Sequence, residues 1–339
     1  MGTVAVLGAG SWGTALAQIC AEAGESVRLW ARRPEVAQAV NERHANPYFL
    51  GDHTLPASLR ATSDVAEAVA GAEVVVVAVP SQALRAQLQQ WVDVLPRDAI
   101  FVSVIKGLET DTRMRGSQVI REVLDVPYSH VVVLSGPNLA RECAARMPSA
   151  AVVAGPETKI VTRVQAMAHT GYFRVYTNPD VVGVELGGAV KNGIAIAVGI
   201  ADGMGYGDNT KAMLTTRGLA ELARLGLAQG GNPLTFSGLA GMGDLVATCN
   251  SPHSRNRSVG RRLGEGRPLS TIVSEMNMVA EGVHSSWAIA KLAGECGVEM
   301  PIVEHVVKAC HEGLDPRDMA RSLMGRDPKP EFHGIGAVG

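Results

Sequence analysis

The chain opens with a short, mostly β-branched apolar run, Thr3–Leu7, that leads straight into Gly8-Ala9-Gly10-Ser11-Trp12-Gly13. A small-residue stretch with helical spacing follows, from about Trp12 to Ala23, and Gly24 closes it. Strand, glycine turn and helix is the order in which a G-x-G-x-x-G carries meaning. Each glycine has its own task there. Gly8 permits the tight turn, Gly10 lets backbone amides approach a pyrophosphate, and Gly13 lets the helix lie close to the strand, while the helix N-terminus adds positive potential. A glycine-rich turn with no ligand, or an S-adenosylmethionine site built on similar glycines, are the other readings of these residues.

The alternation continues downstream. A second strand reads over 26–31, Pro34 suits the first turn of a further helix, and buried strands read over 73–79, 100–104, 131–135 and 150–154. The run from Val74 to Val79 is apolar on both faces, as an interior strand of a parallel sheet covered by helices on each side must be. After Asn178-Pro179 the β-branched strands give way to Ala-, Gly- and Leu-rich helical stretches beginning near Val181, Asn209, Gly238, Pro268 and Glu281. The expectation is an α/β chain: an N-terminal Rossmann-type doubly wound sheet over residues 1–180, then an all-helical C-terminal domain over 181–324. The Pro- and Gly-rich tail, 325–339, is expected to be mobile.

Composition narrows the function classes. A chain of 339 residues exceeds what one core usually serves, which favours two domains. The net charge of −2 argues against a nucleic-acid partner, which calls for a clustered basic excess. The five cysteines, Cys20, Cys143, Cys249, Cys296 and Cys310, are scattered without a CxxC pair, which points to reduced thiols in a cytoplasmic protein and to no metal site. The start, MGTVAVLGAG, lacks the basic region of a secretory signal. No membrane span is expected, because glycines, prolines or Lys191 interrupt the longest apolar stretches.

Several polar residues are conspicuous against this background. The second strand ends in Arg32-Arg33, about where an NAD-selective site would carry an acid, so a 2′-phosphate is welcome and NADP is favoured or accepted beside NAD. Arginines that are merely solvated are the alternative. Between Val181 and Ala201 only Glu185 and Lys191 carry charge. An ammonium among aliphatic side chains loses proton affinity and can approach the range of a general base, which makes Lys191 the candidate for proton transfer. A lysine snorkelling from the helix flank is the bland reading. Lys106 and the segment Gly136-Pro137-Asn138 each follow a predicted strand, where open α/β sheets gather ligands, although Lys106 can also be read as an ordinary surface lysine. Ser254-Arg255-Asn256-Arg257 offers hydroxyl, guanidinium and amide donors within one turn, which suits a phosphate or simply a helix cap.

Taken together, GAGSWGTALA (Gly8 to Ala17), SGPNLARE (Ser135 to Glu142), ELGGAVKN (Glu185 to Asn192) and GLAGMGDLVATCNSPHSRN (Gly238 to Asn256) resemble the bacterial-type NAD(P)-dependent glycerol-3-phosphate dehydrogenase family, from Met1 to about Met324. The resemblance implies hydride exchange between NADP or NAD and a small phosphorylated substrate, reduction of dihydroxyacetone phosphate for phospholipid synthesis, and a homodimer as an expectation. It implies that Ser11, Trp12, Arg32, Arg33, Ala140, Val279 and Glu281 line the cofactor site. Lys106, Gly136, Asn138, Asp244, Ser254, Arg255 and Asn256 would surround the substrate, with Lys106 and Arg255 shared, and Lys191 matches the catalytic lysine. Asn138 departs from the family's usual Ser or Thr, and Gly193 from a branched apolar residue. A ketopantoate-type or β-hydroxyacid reductase, and a non-catalytic dinucleotide sensor, are the competing readings.

Overall fold

The computed structural model describes residues 2–276 and 280–331. Eight strands form one sheet: β1 (Thr3–Leu7), β2 (Ser26–Trp30), β3 (Arg60–Thr62), β4 (Val74–Val77), β5 (Ile100–Ser103), β6 (Val131–Ser135), β7 (Ser149–Ala154) and β8 (Phe173–Asn178), in the order β3-β2-β1-β4-β5-β6-β7-β8. The order reverses at β1 and β4, the place where a doubly wound sheet opens a crevice at the carboxyl ends of its strands. β4 is buried along its whole length, Val74 and Val76 packing with Val4, Val6 and Leu29 while Val75 and Val77 are equally shielded on the opposite face. Helices therefore cover both faces, as the all-valine run requires.

Two strands escape the sequence reading, and they are the two sheet edges. β3 has three residues and starts on Arg60, and β8 alternates buried Phe173 and Val175 with exposed Arg174 and Tyr176. One-sided burial leaves no continuous apolar run to detect. β7 pairs with β6 antiparallel, unlike its neighbours in the sheet. The connection 136–148 holds only the short helix Ala140–Ala144, whereas a parallel return usually needs a full crossover.

The chain divides into two compact units, one of residues 1–105 and 115–184, the other of 106–114 and 185–339. The segment 106–114 thus belongs with the helical unit, which a single cut near residue 180 does not provide. In the tail, Arg326 and Lys329 pair with Glu299, and Arg217 donates to the carbonyl of Glu331; residues 332–339 lie outside the described residues.

The helix Val181–Gly203 organises the second unit. It is long and apolar enough to cross a membrane, which corrects the expectation that no stretch would be, yet nearly all of it is buried inside the protein. Its glycines explain how. A Cβ at Gly199 or Gly203 would strike the carbonyls of Arg257 or Arg261, and one at Gly260 or Gly264 would strike those of Ile196 or Ile200. The helices Val181–Gly203 and Arg255–Gly264 therefore meet backbone to backbone along matching four-residue ridges. Gly193 serves a similar end, since a Cβ there would come within 2.7 Å of the Ser286 hydroxyl. Replacing Gly260 with Ala should force these helices apart and lower stability by about 1–3 kcal/mol, read from urea unfolding; an unchanged midpoint would show that the glycine contact is not under compression.

Candidate active site

In the first unit, the glycine turn is shaped by close backbone approach. Gly8 has φ +130°, and a Cβ there would lie 2.5 Å from the Ala78 carbonyl oxygen. A Cβ on Gly13 would overlap the Gly8 carbonyl, whereas nothing lies within 4 Å of the Cβ position of Gly10. Gly10 is the extended N-cap of the helix Ser11–Glu22 and supplies no side chain to its first-turn amides. The turn is thus closed on the protein side and open above Gly10, the shape that a pyrophosphate fits. Ser11 Oγ donates to the Phe49 carbonyl at 3.1 Å, and Trp12 lies tilted against Phe173 with ring centroids 6.3 Å apart.

Arg32 and Arg33 are exposed immediately after β2, and the Arg33 guanidinium lies 5.7 Å from the centre of the Tyr48 ring. At the end of β6, Gly136 adopts φ +132° with Ala151 Cα 3.1 Å from its Cβ position. Asn138 Nδ2 donates to the Ala150 carbonyl at 2.9 Å, leaving its Oδ1 buried without a partner among the described residues. Ala140 starts the short helix that follows.

In the second unit, Lys191 does not snorkel. Only 5% of it is exposed, and its Nζ donates to Asp244 Oδ1 at 2.5 Å and to Thr248 Oγ1 at 2.7 Å. The other carboxylate oxygen of Asp244 takes Lys106 Nζ at 2.8 Å. One buried carboxylate therefore joins two ammonium groups. Asp244 reaches this place because the segment before it, Leu239–Gly243, is π-helical and comes close to Gly187, where a Cβ would strike the Ala240 carbonyl. Such wide turns often mark functional positions. Desolvation lowers the Lys191 pKa to about 8; the Asp244 carboxylate opposes the fall and Lys106 adds to it.

A chain of amides holds Lys106 from behind. Asn192 Nδ2 donates to the Lys106 carbonyl at 2.8 Å, Asn256 Nδ2 donates to Asn192 Oδ1 at 2.7 Å, and Asn256 Oδ1 accepts from the Gly282 amide at 3.0 Å. Ser254 Oγ caps the helix Arg255–Gly264 by accepting from the Arg257 amide at 3.2 Å. Arg255, exposed at the first position of that helix, interacts electrostatically with Glu281. Val279 lies outside the described residues.

The family models settle the lineage. Residues 3–161 match the NAD-dependent glycerol-3-phosphate dehydrogenase N-terminus, and residues 180–321 match the C-terminus of the same family. The chain belongs to the NAD-dependent glycerol-3-phosphate dehydrogenase family. A relative named glycerol-3-phosphate dehydrogenase [NAD(P)+] from Streptomyces griseus is 55% identical over 96% of this chain and 97% of its own length. The crystal structure of glycerol-3-phosphate dehydrogenase from Coxiella burnetii superposes with a TM-score of 0.91 at 36% identity, covering 96% of this chain and 99% of that one. A ketopantoate reductase from Ralstonia eutropha shares only the fold, with a TM-score of 0.58 at 17% identity over 94% of this chain and 99% of that one. The Rossmann-type sheet and helical C-terminal half expected from the sequence are the architecture of this dehydrogenase family.

The sequence reading passed over Asn192 and Thr248, whose side chains touch the residues it did single out. Thr248 lies one helical turn after Asp244, a spacing that signals a shared face once Asp244 is known to matter. Substituting Asp244 by Asn removes the charge that supports the Lys191 ammonium while Lys106 remains. The Lys191 pKa should therefore fall below about 8, as read by NMR of ¹³C-labelled lysine; a rise would contradict the arrangement.

Proposed function

We propose that this chain interconverts dihydroxyacetone phosphate and sn-glycerol 3-phosphate with NADP(H) or NAD(H), and that Lys191 is the group that gives and takes the proton. The observation that carries the reading is a buried ammonium, tied to Asp244 and Thr248, whose pKa desolvation lowers to about 8. Near neutral pH it holds a proton yet can release it, which is what a group serving both directions needs.

The glycine turn fits a dinucleotide pyrophosphate, and the paired arginines after β2 fit a 2′-phosphate on the adenosine ribose. Bound there, the nicotinamide cofactor supplies hydride to C2 in reduction and accepts it in oxidation. In the reductive direction Lys191 donates its proton to the oxygen on C2 as negative charge develops, and Asp244 and Thr248 keep Nζ aimed as the charge moves. In the oxidative direction neutral Lys191 removes the hydroxyl proton. Lys106, sharing Asp244, adds a second positive charge that favours an anionic substrate.

Arg255 and the N-terminus of its helix hold the substrate phosphate, which orients the reacting carbon. Ser254 and Asn256 use their side chains to cap and brace that helix start, so their part is to present Arg255. Gly136 and Asn138 complete the substrate set and Ala140 the cofactor set on the strength of the motif that contains them, and Val279 and Glu281 join the cofactor set on the family resemblance alone. The proposal extends to a cytoplasmic reaction running toward glycerol 3-phosphate for phospholipid synthesis in a homodimer; the resemblance to the family supports it, and free thiols at all five cysteines suit a reducing compartment.

Steady-state assays should show oxidation of NADPH or NADH with dihydroxyacetone phosphate and none with ketopantoate; the reverse preference would overturn the substrate assignment. Lys191→Ala should lower turnover about 10²- to 10⁴-fold with cofactor affinity retained. Because the acid must carry its proton, kcat/KM for reduction should fall as pH rises through about 8, while that for glycerol 3-phosphate oxidation should rise through the same range. Flat profiles would remove Lys191 from the proton path.

A further inference from the structure

The connection between the helix Pro34–Arg43 and β3 carries an asparagine, Asn46, that is completely shielded from solvent. No motif marks it. Its Nδ2 donates to the carbonyl of Ala9, between the first two glycines of the turn, at 3.0 Å, and to Thr14 Oγ1, in the first turn of the following helix, at 2.9 Å. One side-chain amide thus ties the glycine turn to the helix whose N-terminus it opens. The loop bearing Asn46 is itself fixed. His44 and Leu55 are joined across it by a 2.7 Å hydrogen bond, the amides of Phe49 and Leu50 both donate to the Asn46 carbonyl, and Ser11 Oγ reaches the Phe49 carbonyl.

The bond to Ala9 has a consequence for its neighbour. A trans peptide is planar and sets its C=O and N–H in opposite directions. There are no cis bonds in the described chain, so an Ala9 carbonyl drawn inward onto buried Asn46 turns the Gly10 N–H the opposite way, away from Asn46.

We infer that Asn46 is a positioning residue for cofactor binding: it orients the Ala9–Gly10 peptide so that the Gly10 amide faces the pyrophosphate, and it locks that peptide to the first turn of the helix Ser11–Glu22. Asn46 touches no reacting atom. Its effect is confined to the dinucleotide, because without it the Ala9 carbonyl is free to rotate outward and set a negative dipole where the phosphates lie.

This rests on the dinucleotide reading given above, and the test separates the two. NADPH affinity is measured by fluorescence titration, alongside KM for each substrate and kcat, for the unsubstituted protein, Asn46→Ala and Asn46→Gln. Expected for Asn46→Ala is a loss of NADPH affinity of about 10- to 100-fold, with a matching rise in KM for NADPH. KM for dihydroxyacetone phosphate and kcat at saturating cofactor should stay close to their starting values. Asn46→Gln, which keeps the amide on a longer arm, should recover part of the affinity.

If Asn46→Ala does not fold, Asn46→Ser, which can satisfy one of the two acceptors, gives the same readout at smaller amplitude. Unchanged NADPH affinity in a folded variant, or equal losses in both substrates and in kcat, would overturn the positioning role. An unsubstituted protein that binds neither NADPH nor NADH would instead overturn the function reading itself.

Discussion

Two lysines share one carboxylate in the second unit, and most of what surrounds them serves to make that arrangement tolerable. Charges withdrawn from water are costly unless they are paired and hydrogen-bonded. Asp244 meets this condition by giving one oxygen to Lys191 and the other to Lys106, while Thr248 takes a further donor of Lys191. Burial weakens the Lys191 ammonium most, and two cations against one anion leave it under-compensated besides. The result is a lysine whose pKa is lowered to about 8.

Glycine supplies the means of getting there. In the first unit Gly8 and Gly13 let strand, turn and helix backbones touch, and in the second unit Gly187, Gly199, Gly203, Gly260 and Gly264 do the same for helices. Each glycine costs conformational entropy and, inside a helix, some intrinsic stability. What the fold gains is distance. Only with backbones in contact does Asn256 reach Asn192, and only with Gly187 against Ala240 does the π-turn deliver Asp244 to Lys191. Its aliphatic residues make Val181–Gly203 look like a membrane segment by composition, while its glycines are the mark of a core helix packed at its backbone.

The interior of the sheet was legible because buried strands must be largely apolar, and β1, β4, β5, β6 and β7 announce themselves that way, while β2 carries Arg28 at its middle and was read from its place after the first helix. The edges were not, because β3 and β8 bury one face and expose charges on the other. The same logic divides the candidate site. Lys191 stands out since a charge in an aliphatic helix has no structural excuse. Asp244 entered only through the family motif, and nothing local distinguishes Asn46, Asn192 or Thr248 from ordinary polar residues. Their partners are remote in the chain, as with Asn192 and Asn256, 64 residues apart.

By itself, the sequence determined the glycine turn, the order of the buried strands, the change to helices after residue 180 and the presence of one misplaced-looking lysine. These follow from local rules: β-branched runs extend, glycines turn, and an ammonium among aliphatics demands a reason. Tertiary structure alone decided which carboxylate answers that lysine, which amides brace its neighbour, which peptide Asn46 turns, and that residues 106–114 belong with the helical unit. Those are meetings between segments far apart along the chain, and they are fixed by how closely backbones pack rather than by any residue's own preference.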